Sequence, residues 1–518
     1  MKITFLGHAG FLVETRRAVL AIDPWLSPGG AFDGAWFQFP RNHHLAPVVA
    51  EALEDSGRER VLYLSHEHKD HFDEPFLRSL PVRDLTLLLP RFRRNALVES
   101  LEDLGARELI VAGDRERATI GDLEMRLFIE DSELSRDSAL LVRAPGGTFL
   151  DLNDCKIFDA LPGIAREEGA IDAFACQFSG ATWHPTCYEY PPERYRAISR
   201  SKNRSKFETV ARALESLKPR VYIPSAGPAC FLDPDLFHLN FEEDSPFPRS
   251  DALRAYLEDR LPSSIAAWRE MMPGDVLDVE TASVEPLGSE RVDALNVRAY
   301  LERYAEDYRP WWALRRRITE AGAREVLEAL RSELALKLET FELAARVPVP
   351  LIFGLSDHPA EVVRVDFARG SVDVTDARLP PEHYRISAPS REVARVLAGR
   401  ITWEDFSLTF RMRLGRAPDV YHTLLQGFLI LEREDLAHFC ARVLDLESKK
   451  ERLVVEGGGR RYVVDRYCPH SGADLSTAWI EEGRFLTCPR HRWQFDLQSG
   501  GGCLTNKTSI RACALDDD

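Results

Sequence analysis

Residues 468–491 read CPHSGADLSTAWIEEGRFLTCPRH, and the spacing of Cys and His within them predicts a metal cluster near the carboxyl terminus. Cys468 and His470 share one short loop, and Cys488 and His491 share another. A [2Fe–2S] cluster in which two His replace two Cys on one iron needs this set of two thiolates and two imidazoles. Structural zinc also binds Cys2His2 sets. Zinc fingers space their two pairs differently, so the pattern favours an iron–sulfur cluster.

A second group of metal-binding side chains lies near the amino terminus. His66, His68, Asp70 and His71 directly follow the apolar run RVLYL, which predicts a strand. A loop at a strand end can direct several side chains to one point, so we expect His66 and His68 to bind one metal ion. Asp70 and His71 would then bind a second ion or face a substrate. Imidazole and carboxylate suit zinc, iron or manganese, whereas a His-rich surface loop is the alternative.

Composition limits the classes of protein to consider. The chain has 518 residues, of which 44% are hydrophobic and 29% charged, which predicts a globular protein of several domains. A net charge of −16 argues against a nucleic-acid-binding protein. No run approaches the ~20 apolar residues of a membrane span. The seven Cys outside the cluster motif are scattered and odd in number, which favours a reducing, cytoplasmic location.

Changes in pattern along the chain predict four regions, listed here in order: an α/β domain over 1–244, a helical connector over 245–349, an α+β module over 350–446 and a β-rich domain over 447–518. The connector's first long amphipathic segment is expected to break at Pro310. In the module, VVRVDFARGSVDVTDA predicts a hairpin around Gly370. In the last domain, ERLVVEGGGRRYVVDRYCPH predicts a hairpin that leads into the cluster loop.

The carboxyl-terminal segment resembles the Rieske iron–sulfur domain, which implies that Cys468, His470, Cys488 and His491 are cluster ligands. Residues 1 to about 230 resemble the metallo-β-lactamase fold through Gly7-His8-Ala9, Ile22-Asp23-Pro24-Trp25, the His66 loop and Leu152-Asn153-Asp154. That resemblance implies an αββα sandwich, with Asp154 as a bridging metal ligand. The two later His ligands of that fold are not evident. This leaves room for a single metal ion, or for Asp131, His8 or His184 as substitutes.

The two domains together resemble the CMP-N-acetylneuraminate hydroxylase group. This implies a monooxygenase that passes electrons from the [2Fe–2S] cluster to one or two non-haem irons in the amino-terminal domain and uses O2. It would hydroxylate a C–H bond or oxidise an amine nitrogen of a polar metabolite, such as an amino sugar, a nucleotide sugar or a specialised metabolite. The module over 350–446 is similar to a sterol-carrier fold, and the alternative that we favour is a packing spacer between the two redox domains.

Electrons would come from an external ferredoxin, reductase or cytochrome, because no convincing flavin or nicotinamide fingerprint is present. A homo-oligomer is expected if the two metal sites are too far apart within one chain. One alternative is a metal-dependent hydrolase with a regulatory iron–sulfur domain, and another is a non-catalytic electron carrier. The residues considered for substrate contact are His8, Trp183, Arg196 and Arg200, the last two in a basic run that is otherwise a solvated surface.

Overall fold

The chain forms two compact units. The computed structural model describes residues 1–94, 96–132, 135–180, 182–287, 290–315, 322–504 and 508–515. The first unit comprises residues 1–131, 136–182 and 192–313, and the second comprises 132–135, 183–191 and 314–518. The boundaries expected at 244, 349 and 446 remain predictions.

The first unit alternates strands and helices along most of its length. Its first part contains β1 (Lys2–Gly7), β2 (Gly10–Glu14), β3 (Ala18–Ile22), α1 (Ala46–Glu54), β4 (Glu59–Tyr63), α2 (Glu74–Leu77), β5 (Thr86–Pro90), α3 (Ala96–Leu101), β6 (Glu108–Ala112), β7 (Arg117–Ile120), β8 (Leu123–Ser132), β9 (Ser135–Ala144), β10 (Gly147–Asp151), α4 (Leu161–Glu168) and β11 (Ala173–Gln177). After α5 (Trp183–Thr186), which belongs to the second unit, come α6 (Pro192–Leu217), β12 (Val221–Ser225), α7 (Ser250–Arg260), β13 (Ala267–Trp268), β14 (Val276–Asp278), β15 (Ser283–Glu285) and α8 (Val297–Arg315).

Two sheets form the centre of the first unit. One has the strand order β15-β14-β1-β2-β3-β4-β5-β6, and the other has the order β13-β12-β11-β10-β9-β8-β7. Apolar side chains from both sheets, among them Phe11, Tyr63 and Phe149, form one buried core between them. Helices α1–α3 cover the outer face of the first sheet, and α4, α6 and α7 cover that of the second. The predicted αββα sandwich is therefore confirmed.

Residues 245–349 contain the expected helices and also strands β13–β15. Strand β14 pairs antiparallel with β1, so that Lys2 lies opposite Asp278. Short strands that pair with a distant edge carry little local signal, which explains why the sequence did not reveal them. The predicted break at Pro310 is wrong, because α8 continues through it. Proline removes one backbone donor, and on either side of Pro310 the side chains of Tyr304 and Trp312 are buried in one apolar cluster.

The second unit contains a mixed module followed by a small β domain. The module consists of α9 (Ala323–Glu339), β16 (Leu351–Leu355), β17 (His358–Asp366), β18 (Ser371–Asp376), β19 (His383–Ala388), α10 (Ser390–Leu397), α11 (Trp403–Leu408), β20 (Arg413–Ala417), α12 (Thr423–Ile430) and α13 (Leu436–Ser448). Its sheet has the order β18-β17-β16-β19-β20, and the hairpin at Gly370 is present as predicted, with φ +65° at that residue. Residues 183–191 also belong here, because Tyr188 forms a parallel bridge with Leu414 of β20.

Two buried charged side chains of the module differ in how they are compensated. The Lys337 ammonium lies 4.9 Å from the ring centre of Trp403 and has no hydrogen-bond partner among the described residues. Burial lowers the pKa of Lys337 to about 8. The Glu392 carboxylate instead contacts Arg315 at 2.8 Å and Arg411 at 3.7 Å. Although burial opposes the effect, these cations lower the pKa of Glu392 to about 2.

The carboxyl-terminal β domain carries the cluster motif. It contains β21 (Arg452–Gly457), β22 (Arg460–Asp465), β23 (Trp479–Glu481), β24 (Phe485–Thr487), β25 (Gln494–Asp496), β26 (Gly502–Cys503) and β27 (Ala512–Ala514). Strands β21 and β22 form the predicted hairpin, which β27 extends. The order β23-β24-β25-β26 forms a second small sheet. Its apolar side chains and the two Cys of the motif share one core.

Candidate metal sites

The His-rich loop connects β4 to α2 at the rim of the sandwich. His66, Asp70 and His71 are at most 3% exposed, although they are polar. Asp73 fixes the loop, because its carboxylate accepts hydrogen bonds from the backbone of Leu26 and Phe76. The strand end thus brings imidazole and carboxylate side chains to a buried position.

His66 and His68 point ring nitrogens at one another. His66 Nε2 and His68 Nδ1 are 2.8 Å apart. This is the separation of a hydrogen bond between the two rings, and neither group of mutually close donor atoms among the described residues includes His68. The expectation that His66 and His68 bind one metal ion therefore remains a prediction.

Three further donor atoms are buried without a hydrogen-bond partner among the described residues: His71 Nε2, Asp70 Oδ1 and Asp154 Oδ1. The His71 nitrogen lies 3.7 Å from Asp154 Oδ1 and 4.0 Å from Asp70 Oδ2. His66, His71 and Asp154 can offer ligand atoms within 4.8 Å of one another, and so can His8, Asp70 and His71. Buried polar atoms are rarely left unpaired, so these donors fit one or two metal ions.

His8 lies in this site rather than apart from it. Its backbone has φ +53° in the tight turn between β1 and β2, and its Nε2 is 3.0 Å from Asp70 Oδ2. The sequence suggested either a substrate contact or a substitute ligand for His8. The position beside Asp70 is compatible with both roles, which remain predictions.

Asp23, at the end of β3, orients the ligands. Its Oδ2 is 2.8 Å from His71 Nδ1, and its Oδ1 accepts the backbone amide of Ser65 at 2.8 Å. A carboxylate at Nδ1 holds the proton on that nitrogen and leaves the Nε2 lone pair for a metal ion. The sequence marked Asp23 only as part of a resemblance and did not assign it this position.

Asp137, on β9, was missed by the sequence reasoning. Its side chain is buried, and its Oδ1 lies 3.3 Å from His66 Nδ1. The substitute considered in this region, Asp131, instead accepts the backbone amide of Arg93. Asp137 begins the continuous buried run 137–142 of β9, and an acidic residue at the start of such an apolar run could have indicated it, because a buried carboxylate needs a partner.

The charges of the site call for a cation. Burial and the nearby Asp154 raise the pKa of Asp137 well above its usual range. Burial also lowers the pKa of His66, and the neighbouring His71 and His68 lower it further. Against burial, Asp70 and Asp23 raise the pKa of His71 well above its usual range. A bound metal ion would offset the carboxylate charge and keep the imidazoles neutral.

The remaining predicted site residues lie elsewhere in the two units. Trp183 and His184 belong to the second unit, where His184 Nε2 is 3.2 Å from the Tyr190 hydroxyl. Arg196 and Arg200 are exposed on α6, and Arg200 pairs with Asp244 at 2.6 Å. Neither donor group of the His66 loop includes His184. The substrate and ligand roles suggested for these four residues remain predictions.

The two Cys/His loops of the β domain have matching backbones. The amide of Cys468 bonds the Ala473 carbonyl, and the amide of Gly472 bonds the Cys468 carbonyl. In the second loop, the amide of Cys488 bonds the Trp493 carbonyl, and that of Arg492 bonds the Cys488 carbonyl. Gly472 and Arg492, at equivalent positions, have φ of +75° and +59°. Both loops therefore present Cys first and His two or three residues later.

The four candidate ligands converge. Cys468 and Cys488 are buried, and the rings of His470 and His491 are 4.6 Å apart. Burial and the adjacent Cys488 thiol raise the pKa of Cys468 well above its usual range. Thiolates at this position therefore need the positive charge of iron. The donor set fits a Rieske cluster, with the two Cys on one iron and the two His on the other.

Comparison with known proteins agrees with this geometry. Residues 428–511 match the Rieske [2Fe-2S] domain family. A protein of Mycolicibacterium smegmatis described as a Rieske 2Fe-2S iron-sulfur protein is 30% identical over 99% of both chains. The chain therefore belongs to this family of Rieske iron–sulfur proteins, and a [2Fe–2S] cluster is its cofactor.

More distant similarity extends to hydroxylases. The cytidine monophosphate-N-acetylneuraminic acid hydroxylase of Xenopus laevis is 22% identical over 82% of this chain and 70% of that protein. The resemblance predicted from the sequence is thus confirmed. CmlA, a diiron β-hydroxylase from Streptomyces venezuelae, shares 18% identity and a TM-score of 0.34 over 55% of this chain and 54% of that one. Among the described residues, no helix is long and apolar enough to cross a membrane.

Proposed function

We propose that the protein is a Rieske-type, iron-dependent monooxygenase. It would use O2 and electrons from its [2Fe–2S] cluster to hydroxylate a C–H bond or oxidise an amine nitrogen of a polar metabolite. The observation that carries the proposal is that one chain has two distinct metal-binding donor sets. One is the Cys468/His470/Cys488/His491 set, and the other is the buried donor group around His66 and His71.

The second donor set suits non-haem iron. Imidazole and carboxylate ligands with open positions are typical of iron sites that bind O2. His66, His68, Asp70, His71 and Asp154 would hold one or two irons, which would supply the oxidising chemistry when bound. Asp23 orients His71, and the burial of the site excludes bulk water. The 22% sequence identity to a hydroxylase over 82% of the chain also supports this assignment.

The two metal sites separate electron entry from substrate oxidation. A Rieske cluster transfers one electron at a time, so an external ferredoxin, reductase or cytochrome would reduce it. The substrate class stays as the sequence suggested: an amino sugar, a nucleotide sugar or a specialised metabolite. A location in the cytoplasm is part of the same proposal.

Metal analysis of the purified protein, combined with two alanine variants, tests the proposal. We expect about three or four iron atoms per chain, two of them in the cluster. His470→Ala should lose the visible absorption of the cluster and all O2-dependent turnover while keeping iron at the His66 site. His66→Ala should keep the cluster absorption and lose turnover. His238→Ala and His438→Ala, which alter exposed His residues, should behave like the wild type.

The hydrolase alternative predicts a different outcome. Zinc at the His66 site, together with ester hydrolysis that needs no reductant, would favour a metal-dependent hydrolase with a regulatory cluster. Full O2-dependent turnover by His470→Ala would exclude the cluster as the point of electron entry.

A further inference from the structure

A row of aromatic side chains extends from the cluster loops into the module of the second unit. The Trp493 ring stacks on His470 with ring centres 4.3 Å apart and planes 18° apart. Tyr421 stands edge-on to both, with centre distances of 6.2 Å to His470 and 5.7 Å to Trp493. Tyr421 lies just before α12, far from the Cys/His motif in sequence. Aromatic contact with a cluster ligand thus continues beyond the β domain.

Three more tyrosines extend the row. Tyr188 and Tyr384 are both buried, their hydroxyls are hydrogen-bonded, and their ring centres are 6.3 Å apart. Tyr421 has no ring contact with either of them among the described residues, but it lies two residues after Asp419, whose Oδ1 accepts a hydrogen bond from the Tyr190 hydroxyl. Tyr190 stacks on Tyr188 with ring centres 5.7 Å apart and planes 12° apart. The row therefore ends in the segment 183–191.

The far end of the row has a proton acceptor. The Tyr190 hydroxyl donates to Asp419 Oδ1 at 2.9 Å and lies 3.2 Å from His184 Nε2. It also accepts a hydrogen bond from Arg416 at 3.3 Å, and Arg416 pairs with Asp419 at 2.6 Å. A phenol that loses an electron becomes strongly acidic, so a carboxylate at hydrogen-bond distance can take its proton in the same event. Tyr190 is thus the member of the row best arranged to be oxidised.

We propose that Tyr190, Tyr188, Tyr384 and Tyr421 form an electron relay that ends at the Rieske cluster. In the first step, Tyr190 gives one electron to an oxidant and its phenolic proton to Asp419, which leaves a neutral tyrosyl radical. In the second step, one electron would pass along the row to Tyr190 from a reduced cluster held by the two Cys/His loops, and Asp419 would return the proton. One electron has then moved from the cluster to the oxidant, and the proton count is unchanged. The proposal rests on the proposed function, because the natural oxidant would be a one-electron oxidant formed from dioxygen.

The test uses the full-length protein and a photogenerated ruthenium(III) tris-bipyridine complex as oxidant. In protein whose cluster is already oxidised, a flash should give a tyrosyl radical detectable by EPR. In protein with a reduced cluster, the radical should be short-lived, and its decay should match the reoxidation of the cluster. Tyr190→Phe should lose most of the radical signal. Tyr421→Phe should keep the radical and slow its reduction by the cluster about tenfold or more, equivalent to a barrier increase of ~1.4 kcal/mol.

The matched control is Tyr467→Phe. Tyr467 is adjacent to the ligand Cys468 in sequence, and its ring contacts Lys449 instead of the row. It should show wild-type radical yield and lifetime. All variants should retain the EPR spectrum and midpoint potential of the Rieske cluster. The relay is refuted if Tyr421→Phe and wild type have the same radical lifetime, or if Tyr421→Phe acts only by shifting the cluster potential.

The photochemical oxidant separates this proposal from the proposed function. If the cluster reduces the tyrosyl radical through Tyr421 but the protein never turns over with O2, the relay proposal is supported and the proposed oxygenase function is refuted. If the protein turns over with O2 but Tyr421→Phe changes no electron-transfer rate, the proposed function is supported and the relay is refuted.

Discussion

Asp23 offers a direct test of how the His66 site is built. Its carboxylate accepts from His71 Nδ1 at 2.8 Å and from the backbone amide of Ser65 at 2.8 Å. In Asp23→Asn the side-chain amide can turn its NH2 group toward His71 Nδ1. That would favour the tautomer with its proton on Nε2, the nitrogen that should bind iron. Loss of such an orienting carboxylate typically costs 10–100-fold in metal affinity, or ~1.4–2.7 kcal/mol.

Anaerobic titration of metal-depleted Asp23→Asn with Fe(II) measures this loss. Asp275→Asn is the matched control, because Asp275 is also a buried carboxylate of the first unit and accepts from the backbone amide of Met272, not from a ligand ring. We expect weaker iron binding in Asp23→Asn, near-wild-type binding in Asp275→Asn, and an unchanged Rieske EPR signal in both. Wild-type iron affinity in Asp23→Asn would refute the inferred role of Asp23.

Three further predictions concern the stability of the second unit, measured by its thermal unfolding. Lys337→Met should stabilise it by ~2–3 kcal/mol at pH 7, because the wild type buries a charged ammonium there. This gain should shrink between pH 8 and 10.5, where Lys337 of the folded wild type has lost its proton and the unfolded chain still binds one. Glu392→Gln should destabilise it by ~3 kcal/mol at pH 7; because the pKa of Glu392 is lowered to about 2, this difference should persist above pH 4.5 and disappear toward pH 2. Gly472→Ala should cost ~1–2 kcal/mol, because φ is +75° and a Cβ would lie 2.9 Å from Leu446. Gly459→Ala, with φ +74° and open space around it, should cost less; equal effects at the two glycines would contradict the tight loop geometry.

Local patterns in the sequence were sufficient for the metal-binding loops. The His66 loop follows a strand and carries its candidate ligands close together in sequence, although Asp23, Asp137 and Asp154 reach them from other segments. The Cys468 and Cys488 loops are likewise each closed by short-range backbone hydrogen bonds. Helices such as α9 and the hairpin at Gly370 were also readable from local periodicity and turn chemistry.

Features that depend on distant pairing were not readable. Asp137 reaches His66 only because β9 and β4 lie on facing sheets of the sandwich. The pairing of β14 with β1 joins residues more than 270 positions apart. The placement of Tyr188 beside Leu414 likewise depends on contacts between distant segments. No periodicity or spacing encodes these contacts.

Electron flow between the two metal sites can be followed directly in a rapid-mixing experiment. Protein with full iron content, reduced and free of excess reductant, is mixed with O2 and substrate while the absorbance of the cluster is recorded. If electrons leave the cluster for iron held at the amino-terminal histidines, the absorbance of the oxidised cluster should return quickly in the wild type and only slowly in His66→Ala. Equal rates of cluster reoxidation in the two proteins would contradict electron transfer from the cluster to the His66 site.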